Sequence, residues 1–286
     1  MKLTFTKMHG CGNDYIFFNC FDTEIDSPRT LAVSLSDRHT GVGGDGIVLI
    51  LPSEAADAKM RMFNIDGSEG SMCGNAIRCV AKYLYDSGIV RKPVMSIETL
   101  SGVRSLSLFT ENGSVSTVRV DMGRARLRPA DIPVLLDGDS VIAREVSLGG
   151  VKYKITCVSM GNPHAVVFRD DLDDLDLGKI GPLFENDALF PDRVNAEFID
   201  VISRNHLKMR VWERGSGETR ACGTGACAAA VAAVLNGYCD MHTDITVRLP
   251  GGDLTIRYTD ETVYMTGNCV KVFEGVVVCD RPRIDT

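Results

Sequence analysis

Residues 149 positions apart recur as copies of one another along much of this chain, without a gap. Lys59-Met60-Arg61 return as Lys208-Met209-Arg210, Glu69 as Glu218, Gly12-Asn13 as Gly161-Asn162, and Gly88 as Gly237. Leu100 and Gly102 return as Leu249 and Gly251, and Cys73 returns as Cys222. A repeat of this length constrains the fold before any local propensity is weighed, because two similar sequences must solve the same packing problem twice. The 286 residues fit two domains of ordinary size, each with its own core. The expected N-terminal domain, carrying Cys73, is 1–122 plus 268–286. The expected C-terminal domain, carrying Cys222, is 123–267, and Met122–Pro133, rich in Arg and Pro, reads as the linker.

Each half opens with a strand, passes a Gly-Asn turn and alternates short strands with loops. Met60–Ile65 and Lys208–Arg214 alternate charged and apolar residues, the pattern of half-buried strands. Gly-rich loops lead from them to the two cysteines. Beyond Cys73, Ala76–Tyr85 has helical periodicity and meets a C-terminal stop at Gly88. Beyond Cys222, Thr224–Leu235 is apolar on every side and stops at Asn236-Gly237, so this helix is expected to be wholly buried. A buried helix among many short strands predicts an α+β fold: two pseudo-symmetric domains, each a curved sheet or barrel around a central helix. The site is then expected in the cleft between them.

A net charge of −7 argues against nucleic acid or an anionic membrane as partner. The longest apolar run, Gly225–Leu235, is too short to span a bilayer, and no secretory leader is visible. Ten cysteines without Cys-x-x-Cys spacing, and scattered histidines, point to a reducing cytoplasm and not to structural zinc.

Most cytosolic cysteines are small buried hydrophobes. Cys73 and Cys222 differ from that pattern: both precede a helix, whose N-terminal dipole favours thiolate, and both are followed by Gly, which lets a ligand approach the backbone. Cys11 also precedes Gly, but its repeat partner is Met160, and Cys79 maps onto Ala228. Helix N-termini bind carboxylates. Two thiols at such ends could remove an α-proton from one face of an amino acid and return one to the other. Preorganised N–H donors would stabilise the carbanion-like transition state. That chemistry needs neither a metal nor a pyridoxal lysine, so no cofactor is expected.

The blocks KMHGCGNDY (Lys7–Tyr15), FNIDGSEGSMCGNAIRC (Phe63–Cys79), SMGNPH (Ser159–His164) and WERGSGETRACGTGACA (Trp212–Ala228) resemble the diaminopimelate epimerase family over essentially the whole length. The resemblance implies conversion between the LL and meso forms of 2,6-diaminoheptanedioate, in lysine and peptidoglycan precursor synthesis, by a cytoplasmic homodimer. Carried over by position, Cys73 and Cys222 are the acid/base thiols, and His164 and Glu213 support them. Gly74, Asn75, Gly223 and Thr224 are the helix-end ligands. Asn13, Asn64, Asn162 and Asn195 bond the substrate, and Glu213 and Arg214 grip it further out.

The repeat bears on that grip. Asn64 and Ile65 stand where the other half has Glu213 and Arg214, an asymmetric pair of opposite charges suited to a distal zwitterion. Some family members carry Gln where this chain has Gly46, so a neighbour or a water must serve if that contact is needed. The competing readings are a cofactor-independent racemase of another amino acid, such as histidine, and a thiol redox or binding protein. A non-catalytic relative is disfavoured by intact thiols in both halves.

Overall fold

A computed structural model describes residues 2–278 and divides them into two compact units, residues 2–120 with 268–278, and 121–267. Residues 279–286, assigned above to the N-terminal domain, lie outside the described residues. The first unit runs β1 (Lys2–Gly10), β2 (Asn13–Asn19), α1 (Pro28–Ser36), β3 (Gly46–Leu51), β4 (Ala58–Asn64), β5 (Glu69–Gly70), α2 (Gly74–Asp86), β6 (Val94–Thr99), β7 (Gly102–Glu111) and β8 (Ser114–Asp121). The second runs β9 (Arg144–Leu148), β10 (Val151–Ser159), β11 (Pro163–Phe168), α3 (Leu177–Glu185), β12 (Asn195–Ser203), β13 (His206–Glu213), β14 (Gly217–Thr219), α4 (Gly223–Leu235), β15 (Asp244–Leu249), β16 (Gly252–Tyr258) and β17 (Val263–Asn268). The chain then returns to the first unit as β18 (Val270–Val278), antiparallel to β1.

Strand pairing repeats with the sequence. β1–β2 is antiparallel, β2–β3 parallel, β3–β4 antiparallel and β4–β6 parallel, and β10–β11, β11–β12, β12–β13 and β13–β15 follow the same order. Even the register is copied: Ile47 faces Phe63 in one unit, and their repeat positions Ala196 and Trp212 face each other in the other. A two-fork ion pair recurs as well, Arg61–Glu69 at 2.7 and 3.0 Å and Arg210–Glu218 at 2.9 and 3.1 Å.

In each unit one helix lies inside the curved sheet and one outside. The inner helix α4 packs against β10, β11, β12, β13, β15 and β16. Strands press on it from every side, so only small side chains fit, and Gly225–Ala233 is buried throughout. The inner helix α2 meets β1, β2, β6 and β7 and buries its first eight residues, while Tyr85 is half-buried and Asp86 exposed at its C-terminus. Both helices stop where expected, at Gly88 (φ +78°) and Gly237 (φ +76°), conformations that glycine adopts without strain. The outer helices α1 and α3 cover a second apolar layer, built on Phe5, Phe18 and Phe63 in one unit and on Phe184 and Phe198 in the other.

The segment expected as a linker is part of the second unit's packing. Met122 and Ile132 are buried, and Met122 donates its N–H to Val263 O. The arginines of 122–133 mask three buried residues, Met122, Pro129 and Ile132, that anchor it to the unit. Among the described residues no helix is long and apolar enough to cross a membrane.

Candidate active site

Each cysteine caps its helix. Cys73, at the N-cap of α2, accepts the Ala76 N–H on Sγ at 3.5 Å; Cys222, at the N-cap of α4, accepts the Gly225 N–H at 3.4 Å. The extended backbone at both caps (φ −131° and −118°) turns the sulfur back over the first helical turn, as a capping side chain requires. Gly74 and Gly223 are the first helical residues, and both are buried.

In the first unit, Cys73 Sγ donates to Asn13 Oδ1 (3.4 Å), which also accepts from Asn75 Nδ2 (3.3 Å). The Asn13 amide has one available orientation, because its nitrogen donates to Asp45 Oδ2 (2.7 Å) and a carboxylate can only accept. Asp45 is held by Arg38 (2.9 Å), which also forks onto Asp14 (2.7 and 3.2 Å), and Lys7 pairs with Asp14 at 2.5 Å. Burial works against ionising Asp14, but the hydrogen bonds and charges of Arg38 and Lys7 outweigh it and hold the carboxyl below its ordinary range. Behind Asn75 lies the fully buried Arg78, whose guanidinium donates to Asn75 Oδ1 (2.9 Å), Gly74 O (2.9 Å) and Asn268 O (3.2 Å). Asn64, paired with Gly46 across the ladder, donates to Ser68 Oγ (3.0 Å).

In the second unit, Cys222 touches Thr224 Oγ1 at 3.5 Å. Thr224 accepts from Asn162 Nδ2 (3.3 Å), Asn162 Oδ1 meets His164 Nε2 (3.0 Å), and His164 Nδ1 meets Glu197 Oε1 (2.7 Å). Glu213 accepts the Thr219 hydroxyl and shares a hydrogen bond with the Cys222 thiol. Burial raises the Glu213 carboxyl above its usual range, against the pull of those two donors. A helix N-terminus was expected to favour a thiolate, yet Cys222 is pushed well up instead. Burial is the larger cause, followed by the charges of Glu213 and Glu197, and the Thr224 and Gly225 donors only offset them in part. A raised carboxyl beside a raised thiol can pass a proton between them.

Asn195, expected to bond the substrate, and Arg214, expected to grip it further out, behave differently. Asn195 is buried with its amide taken up by backbone: Nδ2 donates to Pro163 O (3.1 Å) and Oδ1 accepts the Arg214 N–H (2.8 Å). It fixes where Arg214 leaves the sheet. The Arg214 guanidinium, part exposed, donates to Asp192 O at 2.6 Å. Gly46, where some relatives have Gln, faces Asn64 across the ladder; a Cβ there would lie 2.0 Å from Phe63 O and 2.9 Å from the Tyr15 ring. No side chain fits this backbone, and the Tyr15 ring occupies the adjoining space.

The sequence reading missed Asp45, Arg38, Arg78 and Glu197. Arg38 carried no signal, and for the other three the only one was adjacency: Asp45 inside GVGGDG, Arg78 inside CGNAIRC, and Glu197 two residues after Asn195. The thiols themselves are graded by exposure. Cys73 is part exposed, whereas Cys20, Cys239 and Cys269 are pushed up to about 11 and Cys157 to about 12, in each case chiefly by burial. Limiting iodoacetamide on the native protein should therefore label Cys73 before any of these four, read by peptide mass spectrometry. Equal labelling of Cys157 would contradict the burial assigned to it.

A diaminopimelate epimerase family model matches residues 5–128 and 156–272. The diaminopimelate epimerase of Acetivibrio thermocellus is 55% identical over 277 residues, covering 96% of this chain and 98% of the relative. That of Desulfovibrio desulfuricans is 57% identical over 283 residues, with 96% and 98% covered. Among solved structures, a hydroxyproline epimerase from Agrobacterium vitis superposes with a TM-score of 0.68 at 16% identity, covering 98% of this chain and 94% of that one. A PhzF-family phenazine biosynthesis protein from Bacillus anthracis superposes at 0.69 and 17% identity, with 98% and 100% covered. The last two share the fold; the family is carried by the sequence match over nearly the full length. This chain belongs to the diaminopimelate epimerase family.

Proposed function

We propose that this chain interconverts LL- and meso-2,6-diaminoheptanedioate by a two-base mechanism in which Cys73 and Cys222 act on one α-carbon from its two faces. The observation that carries this reading is the duplicated cap: in each repeat a sulfur sits over the first turn of a buried helix, beside backbone N–H groups that have no helical partner. As one thiolate takes the α-proton, negative charge grows into the substrate carboxylate. N–H groups at Gly74, Asn75, Gly223 and Thr224 are suited to receive that charge. The opposite thiol then gives its proton to the other face, so one S–H bond forms, one breaks, and the centre inverts. The two thiols exchange protonation states in each turnover, and either the reverse reaction or proton exchange with solvent resets them.

Glu213 supports Cys222 from contact distance, and Asn13 and Asn162 orient the region around each sulfur. Asn75 acts through Asn13, and Asn195 acts by holding the Arg214 backbone. The guanidinium of Arg214 can offer a fork to a distal carboxylate. Incubation with LL-diaminoheptanedioate in heavy water, with reductant, should give the meso form carrying one solvent deuteron at the inverted centre. Inversion with full retention of the original α-proton would rule the mechanism out. A cytoplasmic homodimer belongs to the same proposal. It is supported by the exposed apolar row Val272, Phe273, Val276 and Val278 along β18, and light scattering that read a monomer at assay concentration would remove that part.

A further inference from the structure

His164 and Glu197 form a pair with no exposed side-chain surface, joined at 2.7 Å between Nδ1 and Oε1. Among the described residues the other carboxyl oxygen, Glu197 Oε2, is buried without a hydrogen-bond partner. Neither residue has a counterpart in the first repeat, where Tyr15 and Val48 occupy the matching places. A buried carboxylate with one bare oxygen is tolerated only if its charge is compensated by the group it touches. Compensation needs two protons on the pair, one shared between Nδ1 and Oε1 and one on Nε2. With a single proton the pair would carry a net negative charge next to Glu213, Cys157 and Cys222, and nothing at Oε2 would solvate it.

The contacts beyond the ring agree. Nε2 lies 3.0 Å from Asn162 Oδ1, an acceptor, so it must donate. Asn162 Nδ2 then donates to Thr224 Oγ1, which leaves the threonine hydrogen free to donate to Cys222 Sγ. Every bond in this row points toward the sulfur. A bare Nε2 would turn the Asn162 amide over and present its oxygen to Thr224.

We propose that Glu197 is a positioning residue for Cys222: by pinning a proton in its pair with His164, it fixes Nε2 as a donor and gives Asn162 and Thr224 one orientation, both donating toward the thiol. Only the link to turnover rests on the epimerase reading; the direction of the row does not.

The test begins with the wild-type protein, ¹⁵N-labelled at histidine and assigned with a His164→Gln variant. Long-range ¹H–¹⁵N correlation should show His164 Nε2 protonated at neutral pH without substrate, and a bare Nε2 would overturn the proposal. Glu197→Met, similar in volume but unable to hold the proton, should lose that signature and about 10²-fold in kcat with KM little changed, the scale of a misplaced acid/base group. Glu197→Gln can donate its amide to Nδ1, so it should keep Nε2 protonated and recover most of kcat. Wild-type kcat in Glu197→Met, or equal losses in both variants with His164 unchanged, would also overturn it. If Glu197→Met does not fold, the wild-type spectrum and the Gln variant still decide. Full turnover by Cys222→Ala would sink the two-base mechanism yet leave the wild-type spectrum as expected, so the two failures are distinguishable.

Discussion

Cys73→Ala and Cys222→Ala should each reduce epimerisation by about 10²- to 10⁴-fold or more, since each removes an acid/base group that the proposed mechanism uses in every turnover. The fold should survive, because each sulfur contributes one long capping bond and the helices are held by packing on the strands around them. Circular dichroism and thermal melting separate this outcome from unfolding. The variants should also differ in kind. In a two-base scheme, Cys73→Ala keeps the group for one face and should still exchange the α-proton of one substrate configuration with solvent, whereas Cys222→Ala should exchange only the other. Exchange of both configurations by either variant, or turnover near wild type, would mean that the thiols are not the bases.

The second large effect lies at Glu213 and Arg214. Arg214→Lys removes the fork from a site suited to a carboxylate, and losing one partner of a desolvated charged contact costs about 2–5 kcal/mol, roughly 30- to 5,000-fold. The loss should appear mainly in KM for diaminoheptanedioate. Glu213→Gln should act on kcat, because the carboxyl touches Cys222 and can take its proton. Its pH signature follows from the raised carboxyl: wild-type activity should fall as the solution is acidified through that raised value, and the Gln variant should lack this limb. Stability moves the opposite way. A carboxyl raised on folding favours the protonated native state, so its contribution is present below the unfolded value and is lost as pH rises through the folded one. Glu213→Gln should therefore melt no lower than wild type at neutral pH. Comparable wild-type turnover of alanine, proline or histidine would defeat the assignment to a substrate with a distal zwitterion. A large loss of stability in Glu213→Gln would defeat the electrostatic account.

What the sequence disclosed and what it hid divide along the repeat. Agreement at a spacing of 149 marks residues that both halves need, and it points directly to Cys73, Cys222, Asn13, Asn162 and the two inner helices. Apolar periodicity and glycine stops then bound α2 and α4 within two residues. The supporting residues are one-sided. Asp45 corresponds to Val194, Glu197 to Val48 and Arg78 to Cys227, so comparing the halves hides the very residues that make them chemically unlike. Their partners are also distant in sequence: Asp45 reaches back 32 residues to Asn13, and Arg78 crosses 190 to Asn268. Periodicity carries no information about such contacts. The linker reading failed for a related reason, since the buried anchors Met122, Pro129 and Ile132 were outnumbered by the charged residues around them.

That both sulfurs begin helices puts selection for heat resistance and selection for turnover in opposition at the same two atoms. Serine, threonine, aspartate and asparagine are the favoured helix caps, and a sulfur accepting at 3.4–3.5 Å is a feeble substitute. Cys73→Ser and Cys222→Ser should thus melt at or above the wild-type temperature while nearly losing activity, and a clear drop in melting temperature for both would show that the sulfur packs better than it caps. A library of this protein screened only for survival on heating would drift toward hydroxyls at 73 and 222, yielding sturdier proteins with little catalysis. Under the proposed mechanism, cysteine at these two caps is a standing concession of stability to chemistry, made once in each half of the repeat.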